Sequence, residues 1–374
     1  MERTTLKALI LSESMARFLN LLKPLLLVLI SSIFAILICE LAVRIIIPQN
    51  KMVTWLEMHE TGFMMNQSGG EAFQEFDDRK ADYRFNKHRL RGKEINLGKV
   101  NVLTIGDSFT FGLLLNEEQT YVHLLQEKAD EYFPDSLQFL NGGIGGSGLG
   151  DWPGWLDTHG IDLDIDYLVY FMNSDDINRA LSKNLYVYDE SLPDSLEKSQ
   201  RWTPRAILPY LAHKKWYRWI QANSQLGNIV IKLLWRNLYF KDLTKNFDPQ
   251  KSTVRIPDLD SFSEESDYST LLGTAILDKI ENWCTQNGCE FIVITTGFFE
   301  EKKMSMYDQQ FYKWYQLSSD QKENFFDNYA CVQDKIISSL DEIKIPGDSH
   351  PNEEGAQIIA NCTWEKLITT FENN

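Results

Sequence analysis

A serine, a histidine and an aspartate stand at positions in this chain from which they could act together on an ester. Ser108 lies in the sequence Gly-Asp-Ser-Phe, directly after the apolar run 100–105. His350 lies far downstream, in Asp-Ser-His-Pro-Asn, and Asp348 opens that segment. A serine hydroxyl is a poor nucleophile at neutral pH unless an imidazole takes its proton and a carboxylate orients that imidazole. The three residue types together indicate acyl-transfer chemistry.

The serine, the histidine and the aspartate can act together only if the fold brings them to the same edge of a sheet. Apolar runs predict strands at 100–105, 137–140, 167–172, 291–296 and 342–345. Helical spacing predicts helices from Asn116, near 270–286, near 307–340 and from Glu353. Strands that alternate with helices predict an α/β fold, with a mostly parallel sheet of about five strands and helices on both faces. Sites in such sheets lie at the carboxyl ends of the strands. The candidate residues that follow predicted strands are Ser108, Gly146, Asn173 and His350.

Four short blocks of this chain resemble the SGNH (GDSL-like) hydrolase superfamily, whose blocks carry a serine, a glycine, an asparagine and a histidine. The first block matches 106–109 and the second matches 141–146. The third matches Asn173, and the last matches 348–352. The resemblance covers roughly 100 to 176 and 290 to 368, and it implies an SGNH or flavodoxin-like sheet.

The resemblance also implies a role for each matching residue. Ser108 would be the nucleophile, His350 the general base and then acid, and Asp348 the group that orients His350. The oxyanion hole would use the backbone N–H of Ser108, the backbone N–H of Gly146 and the side-chain amide of Asn173. Three preorganised donors aimed at a developing oxyanion are worth a few kcal/mol each.

Two departures from the family pattern bear on the activity. Asp348 stands two residues before His350 rather than three, a spacing similar to that of exopolysaccharide O-acetyltransferase relatives. Asn173 is followed by Ser174 instead of by aspartate. The resemblance therefore implies a serine esterase or an O-acyltransferase that acts on ester groups, O-acetyl above all, of a cell-envelope glycan or lipid. The alternative from another class is a non-catalytic envelope scaffold or glycan-binding protein that keeps the fold.

Each motif also has a plainer interpretation. The 348–352 segment could be only a loop in which Asn352 caps the last helix. The residues after Asn173 could simply turn the chain after a strand. The glycines of 143–148 could permit tight turns, and their G-x-G-x-x-G spacing also fits a dinucleotide fingerprint, although 137–140 is not the first strand.

The N-terminus carries an apolar stretch from Pro24 to Ile47, interrupted by Glu40 and Arg44. Its length suffices to cross a membrane, which needs about 20 residues. Four basic residues precede it, so the positive-inside rule predicts a cytoplasmic N-terminus and a single-pass cell-membrane protein with its catalytic domain periplasmic or extracellular. A cleaved signal peptide is the alternative.

The expected organisation has four parts. Residues 1–20 form a cytoplasmic N-terminus, 21–47 a transmembrane helix and 48–98 a polar linker and lead-in segment. Residues 99–374 form the catalytic domain. Within it, a helical insertion at 178–268 is rich in tryptophan, tyrosine and basic residues. This insertion either packs on the core or serves as a lid, a carbohydrate-binding surface or a strip on the membrane.

The amino-acid composition disfavours some classes of binding partner. The formal charge of -16 disfavours nucleic acid, which needs a basic surface. The remaining expected partners are an ester substrate, small or glycan, the membrane, and an acyl-donor membrane protein. Neither C-x-x-C nor H-E-x-x-H occurs, so we expect neither metal nor cofactor. In an exported domain the last four cysteines could form two disulfides with three possible pairings, or stay free and buried: Cys284, Cys289, Cys331 and Cys362.

Overall fold

The computed structural model of the protein describes residues 2–96, 98–198, 211, 214–234, 268–319, 322–336 and 339–372. The strands in these ranges are β1 (Met52–Val53), β2 (Leu56–Met58), β3 (Met64–Asn66), β4 (Gly70–Phe76), β5 (Arg79–Phe85), β6 (Val100–Gly106), β7 (Leu137–Asn141), β8 (Tyr167–Met172), β9 (Tyr186–Tyr188), β10 (Leu196–Lys198), β11 (Glu290–Thr295) and β12 (Phe325–Phe326). The α-helices are α1 (Glu2–Ile46), α2 (Ser108–Phe111), α3 (Tyr121–Tyr132), α4 (Trp152–His159), α5 (Asp176–Lys183), α6 (Lys215–Asn223), α7 (Gln225–Leu234), α8 (Tyr268–Asn287), α9 (Met306–Ser319), α10 (Tyr329–Lys335) and α11 (Glu353–Glu372).

The centre of the protein is a five-stranded parallel sheet in the order β12-β11-β8-β6-β7. Numbered along the chain, these strands run 2-1-3-4-5 across the sheet, which is the flavodoxin-like doubly wound order. The order reverses between β6 and β8. Ligands of such sheets bind beyond the carboxyl ends of the strands at this reversal. The predicted fold class is confirmed.

Alternating side chains of the sheet supply two cores, because successive residues of a strand point to opposite faces. In β8, Leu168 and Tyr170 pack with α4, α5, α8 and α9. Val169 and Phe171 pack with α3, α10 and α11 on the other face. Helices therefore cover both faces, which explains why this strand is apolar throughout.

The fifth strand of the sheet is not where the sequence predicted it. The strand β12 lies at Phe325–Phe326, between α9 and α10, within a stretch expected to be one long helix. Residues 342–345 make only a single bridge, between Lys344 and Pro351. Ile343 and Ile345 are buried as a strand would require, but they pack in the core from a loop. Their alternation explains the wrong prediction, and a two-residue strand is too short to show any periodicity.

The segment 48–98, expected as a polar linker, instead carries the strands β1 to β5. β1, β4 and β5 form a small antiparallel sheet. The buried rings of Tyr83 and Phe85 in β5, and of Trp55 between β1 and β2, surround Phe111 of α2. Alternate residues of β5 are buried, and this period of two is the signal that identifies a strand. The segment is thus part of the folded domain.

The insertion at 178–268 is only partly helical in the residues that are described. It contains most of α5, the hairpin β9–β10, α6 and α7. Its residues 199–210, 212–213 and 235–267 lie outside the described part of the chain.

The N-terminal helix α1 contains the predicted apolar stretch. Its part from Lys23 to Ile46 is 24 residues long and apolar enough to cross a membrane, and none of it is buried inside the protein.

Four cysteines form two disulfides, Cys284–Cys289 and Cys331–Cys362. Their Cα atoms lie 4.7 and 5.9 Å apart, within the range that a disulfide allows. Of the pairings that the sequence left open, this one joins the last turn of α8 to the residue before β11 and joins α10 to α11.

Candidate active site

Ser108 is held at the carboxyl end of β6 by a tight turn. Gly106, with φ +155°, ends the strand, and a Cβ there would lie 2.1 Å from Thr110 Oγ1 and 2.8 Å from the Phe171 carbonyl oxygen. Only glycine therefore lets β6 pass this close to β8 and turn into α2. Asp107 caps α2, because its carboxylate accepts the Phe109 N–H at 2.8 Å.

The histidine of the distant block contacts this serine. His350 Nε2 lies 2.7 Å from Ser108 Oγ, although the two residues are 242 positions apart. On the other side of the ring, His350 Nδ1 hydrogen-bonds Asp348 Oδ1, which also accepts the His350 backbone N–H at 2.9 Å. An Nδ1–H that donates to a carboxylate leaves Nε2 as the acceptor for a serine hydroxyl.

The Asp348 carboxyl is suited to remain ionised. Its burial by itself raises the pKa, but the hydrogen bonds from the ring and the backbone of His350 outweigh burial, so that the pKa of Asp348 is lowered. An ionised carboxylate holds the imidazole in one orientation. It also stabilises the imidazolium that forms when the ring takes a proton.

The loop that carries His350 is fixed at both ends. The Ile345 N–H donates to the His350 carbonyl oxygen at 2.9 Å, and the Asp348 N–H donates to the Ile345 carbonyl oxygen at 2.9 Å. The Asn352 side chain accepts the Gly355 N–H at 3.0 Å and so caps α11 as the plainer interpretation expected. The cap and the contact with Ser108 occur together. The cap therefore positions the histidine rather than competing with that role.

The three predicted oxyanion donors come from neighbouring strand ends. Ser108 is the first residue of α2, so its N–H has no acceptor within that helix. Gly146 is exposed in the loop after β7, and that loop is tied to the Gly106 carbonyl oxygen by the Ile144 N–H at 2.9 Å. Asn173 directly follows β8, and its Nδ2 donates to Asp107 Oδ2 at 3.0 Å. An amide nitrogen carries two hydrogens, so this bond leaves one for another acceptor.

Sequence reasoning missed an ion pair behind the serine. Asp107 is fully buried, and its Oδ2 lies 2.5 Å from Arg179 of α5. The same guanidinium donates to the Ser147 carbonyl oxygen at 3.1 Å and to Asp175 at 3.2 Å. The spacing of Asp175 and Arg179 signals a helical pair, but no local pattern links Arg179 to Asp107. Arg179 thus ties the serine turn to the loops that carry Gly146 and Asn173.

A second buried carboxyl supports the loop after β8. Asp176 accepts the Tyr170 hydroxyl at 2.6 Å and the Asn173 backbone N–H at 2.8 Å. Burial, followed by the charge of Asp107, raises the pKa of Asp176 well above its usual range, while Arg179 acts in the opposite direction. These bonds fix the backbone of Asn173.

The dinucleotide interpretation of 143–148 gains no support from the geometry. In that motif the N-terminus of the following helix binds the pyrophosphate. Here the Gly148 N–H donates to the Asp151 carboxylate at 2.8 Å, just before α4, and Lys183 pairs with the same carboxylate at 2.6 Å. A buried carboxylate thus occupies the position that an anion would need.

In the described part of the chain, no three His, Cys, Asp or Glu side chains are grouped so that they could hold a metal ion.

No protein-family model and no curated protein matches this chain. The solved structures that are similar to it include a lipolytic protein of the G-D-S-L family from Desulfitobacterium hafniense, which is 12% identical with a TM-score of 0.38 and aligns over 72% of this chain and 100% of its own. The esterase EstA from Pseudoalteromonas is 14% identical with a TM-score of 0.38, over 73% of this chain and 99% of its own. The acetylxylan esterase Axe2 from Geobacillus stearothermophilus is 15% identical with a TM-score of 0.39, over 73% and 96%. The first of these structures is named as a member of the G-D-S-L family, the group that the four sequence blocks resemble. At such TM-scores the likeness supports no conclusion about activity, which depends on the geometry of the site.

Proposed function

We propose that this protein is a membrane-anchored serine esterase or O-acyltransferase, with Ser108, His350 and Asp348 as its catalytic triad. The observation that carries the proposal is the 2.7 Å contact between His350 Nε2 and Ser108 Oγ, with the far side of the ring bonded to Asp348. This is the arrangement that activates a serine hydroxyl. Its position at the reversal of the strand order adds support, since ligands bind there in doubly wound sheets.

The first half of the reaction forms an acyl-enzyme. Ser108 Oγ attacks the ester carbonyl carbon while His350 Nε2 takes the hydroxyl proton. The carbonyl electrons move onto the oxygen, where the N–H groups of Ser108, Gly146 and Asn173 stabilise the negative charge. The tetrahedral species then collapses. The bond to the leaving alcohol breaks, and His350 gives its proton to that alcohol.

The second half returns the free enzyme. Water or an acceptor hydroxyl attacks the acyl carbon and gives a proton to His350 Nε2. The bond to Ser108 Oγ breaks, and the serine oxygen recovers that proton. Water yields a free acid, whereas a sugar hydroxyl yields a new ester. The same residues serve both outcomes, so the acceptor that reaches the site decides between hydrolysis and transfer.

We further propose that the substrate is an O-acetyl group, or another acyl group, on a cell-envelope glycan or lipid. The two-residue spacing of Asp348 and His350 supports this, because it resembles that of exopolysaccharide O-acetyltransferase relatives. A transferase would also need an acyl donor delivered by a membrane partner.

The proposed location is the cell membrane, with a cytoplasmic N-terminus, a single crossing by α1 and the catalytic domain outside the cytoplasm. The excess of basic residues before the apolar stretch supports this orientation. The pairs Cys284–Cys289 and Cys331–Cys362 also support it, because disulfides persist in oxidising compartments.

A fluorophosphonate probe tests the nucleophile directly. We expect the full chain in detergent to be labelled at Ser108, and Ser108→Ala to abolish both labelling and the turnover of an aryl acetate. The control is Ser349→Ala, because Ser349 is an exposed serine of the histidine loop and should leave labelling unchanged. A folded wild-type protein with neither labelling nor turnover would contradict the proposal and favour the non-catalytic glycan-binding scaffold.

A second assay separates hydrolysis from transfer. The protein is incubated with an activated acetyl donor and oligosaccharides, and the masses of the products are measured by mass spectrometry. Acetylated sugar that disappears in Ser108→Ala identifies a transferase, whereas free acetate alone identifies an esterase.

A further inference from the structure

Two short helices of the insertion are attached to the last turns of α1. Glu40 of α1 accepts the backbone N–H groups of Gln225 at 2.9 Å and Leu226 at 3.0 Å, and the Ser224 hydroxyl at 2.8 Å. It therefore caps the N-terminus of α7. Arg44, one turn further along α1, pairs with Glu40 at 2.8 Å and donates to the carbonyl oxygen of Asn223 at the end of α6. The corner between α6 and α7 is thus fixed to α1.

This attachment sets the height of the corner relative to a bilayer. The apolar part of α1 ends at Ile46, and Glu40 is six residues before that end. At 1.5 Å per residue the corner lies about 9 Å along the helix axis from the end of α1. Glu40 and Arg44 are charged, and charged groups are costly in the hydrocarbon core, so the interface is their favoured position. Because α1 begins at Glu2, the 20 residues before Glu40 are enough to span a core of about 30 Å. The corner then falls in the interfacial layer of a bilayer that α1 crosses.

The side chains that α6 and α7 expose suit that layer. Trp216 and Trp219 are 57% and 64% exposed, and residues three apart lie on the same face of a helix. Val230 and Leu234 of α7 are exposed as well. Tryptophan is enriched at membrane interfaces, because its ring is apolar and its N–H can still reach water or headgroups.

The charge of the two helices differs from that of the whole chain. Between 214 and 234 the sequence contains four basic residues and no acidic one, while the chain as a whole carries -16. The basic residues are Lys214, Lys215, Arg218 and Lys232. A basic amphipathic segment with tryptophan is typical of helices that lie on anionic lipid surfaces.

The same helices are bonded to the folded domain. The Gln221 side chain of α6 accepts the Thr54 N–H at 3.1 Å. The next residue, Trp55, stacks on Phe111 with ring centroids 5.1 Å apart, and Phe111 is the last residue of the helix that begins with Ser108. A continuous set of contacts therefore joins the surface of α6 and α7 to the candidate active site.

We propose that α6 and α7 form a membrane-interface surface, which lies in the headgroup layer of the bilayer that α1 crosses and fixes the orientation of the α/β domain above it. The proposal rests on the membrane crossing by α1 but not on catalysis. The occupant of the exposed tryptophan face is the lipid surface itself.

Spin labels on the full chain test this surface. Single cysteines, Trp216→Cys or Trp219→Cys, are introduced with Cys39→Ser, since Cys39 is the free cysteine. The controls are Ile161→Cys and Leu317→Cys, which are apolar positions with 63% and 60% exposure on the α/β domain. Each protein is placed in nanodiscs of phosphatidylcholine and phosphatidylglycerol, and the accessibility of the nitroxide to oxygen and to a water-soluble nickel chelate is measured.

We expect the labels at Trp216 and Trp219 to be several-fold more accessible to oxygen than to nickel, relative to the two controls. Nickel accessibility equal to that of the controls would overturn the proposal, because the face would then lie in water. Low accessibility to both reagents would also overturn it, because the face would then be covered by protein. A label at Leu29→Cys reports on α1 in parallel. If only the label at Leu29 is in lipid, the membrane crossing by α1 is supported and the proposed membrane-interface surface is wrong. None of these outcomes depends on ester turnover.

Discussion

At the scale of single residues, the candidate site depends on a carboxylate only two positions before its histidine. Asp348 Oδ1 accepts both the backbone N–H and the ring Nδ1–H of His350. The backbone bond is local, so the short spacing itself orients the carboxylate toward the ring. A spacing of two residues is therefore no obstacle to the geometry that the proposed triad requires.

Asp348→Asn should lower kcat by about 10³- to 10⁴-fold with little change in KM. The asparagine amide can donate to Nδ1, which places the imidazole proton on Nε2, where it can no longer accept from Ser108. The measurement is steady-state hydrolysis of an aryl acetate. Asp341→Asn is the control, because Asp341 is an exposed carboxylate that pairs with Lys344, three residues further along the chain, at 3.0 Å. An Asp348→Asn protein with more than a tenth of wild-type activity would exclude the triad.

At the scale of elements, Arg179 in the middle of α5 joins the loops that follow three strands. Arg179 contacts Asp107 after β6, Ser147 after β7 and Asp175 after β8. A guanidinium can do this because its donors are arranged in a planar fork. The loops thus share one cation, and the donors proposed for the oxyanion hole are positioned together.

Arg179→Ala should lower the free energy of unfolding by about 3–5 kcal/mol, because it leaves the buried carboxylate of Asp107 without its cation. Arg179→Lys should lose less, since it keeps the charge but not the fork. Denaturant unfolding in detergent measures both variants, with the exposed Lys302→Ala as a neutral control. If Arg179→Ala is as stable as Lys302→Ala, the ion pair does not hold the loops. Loss of aryl-acetate turnover in a folded Arg179→Lys would indicate a positioning role.

At the scale of the whole molecule, buried carboxyls make stability depend on pH. Burial raises the pKa of Asp308 in α9 to about 6, although hydrogen bonds from Ser305 and from the Asn178 N–H oppose the shift. In the unfolded chain the pKa is near 3.9. Between these values the folded state binds more protons than the unfolded state. This contribution to stability is therefore complete below about pH 4 and is lost as the pH rises through 6.

Asp308→Asn should flatten the pH dependence of stability between pH 4 and 6 and raise stability at pH 8 by on the order of 2 kcal/mol. The asparagine needs no ionisation and can still accept the Asn178 N–H, which lies 3.1 Å from Asp308 Oδ1. Thermal unfolding followed by tryptophan fluorescence at several pH values measures the change. The exposed Asp78→Asn serves as the control. An unchanged slope in Asp308→Asn would show that another group titrates in this window.

The sequence by itself determined the local features of this protein. Strand and helix patterns identified four of the five central strands, and the long apolar run identified a helix able to cross a membrane. Turn and cap residues such as Gly106 and Asn352 act within a few positions of themselves, so their patterns can be read without a structure. The short strand β12 was missed because its two residues pair only with a distant strand.

Only the tertiary structure decided which distant groups meet. The contact between Ser108 and His350 spans 242 positions, and the pair of Asp107 and Arg179 spans 72. The attachment of α6 and α7 to Glu40 spans more than 180. Such contacts follow from the order of strands in the sheet and from how loops pack, and no periodicity or spacing along the chain encodes them. The physical reason is that local patterns report backbone preference and burial, whereas a site is made by chain topology.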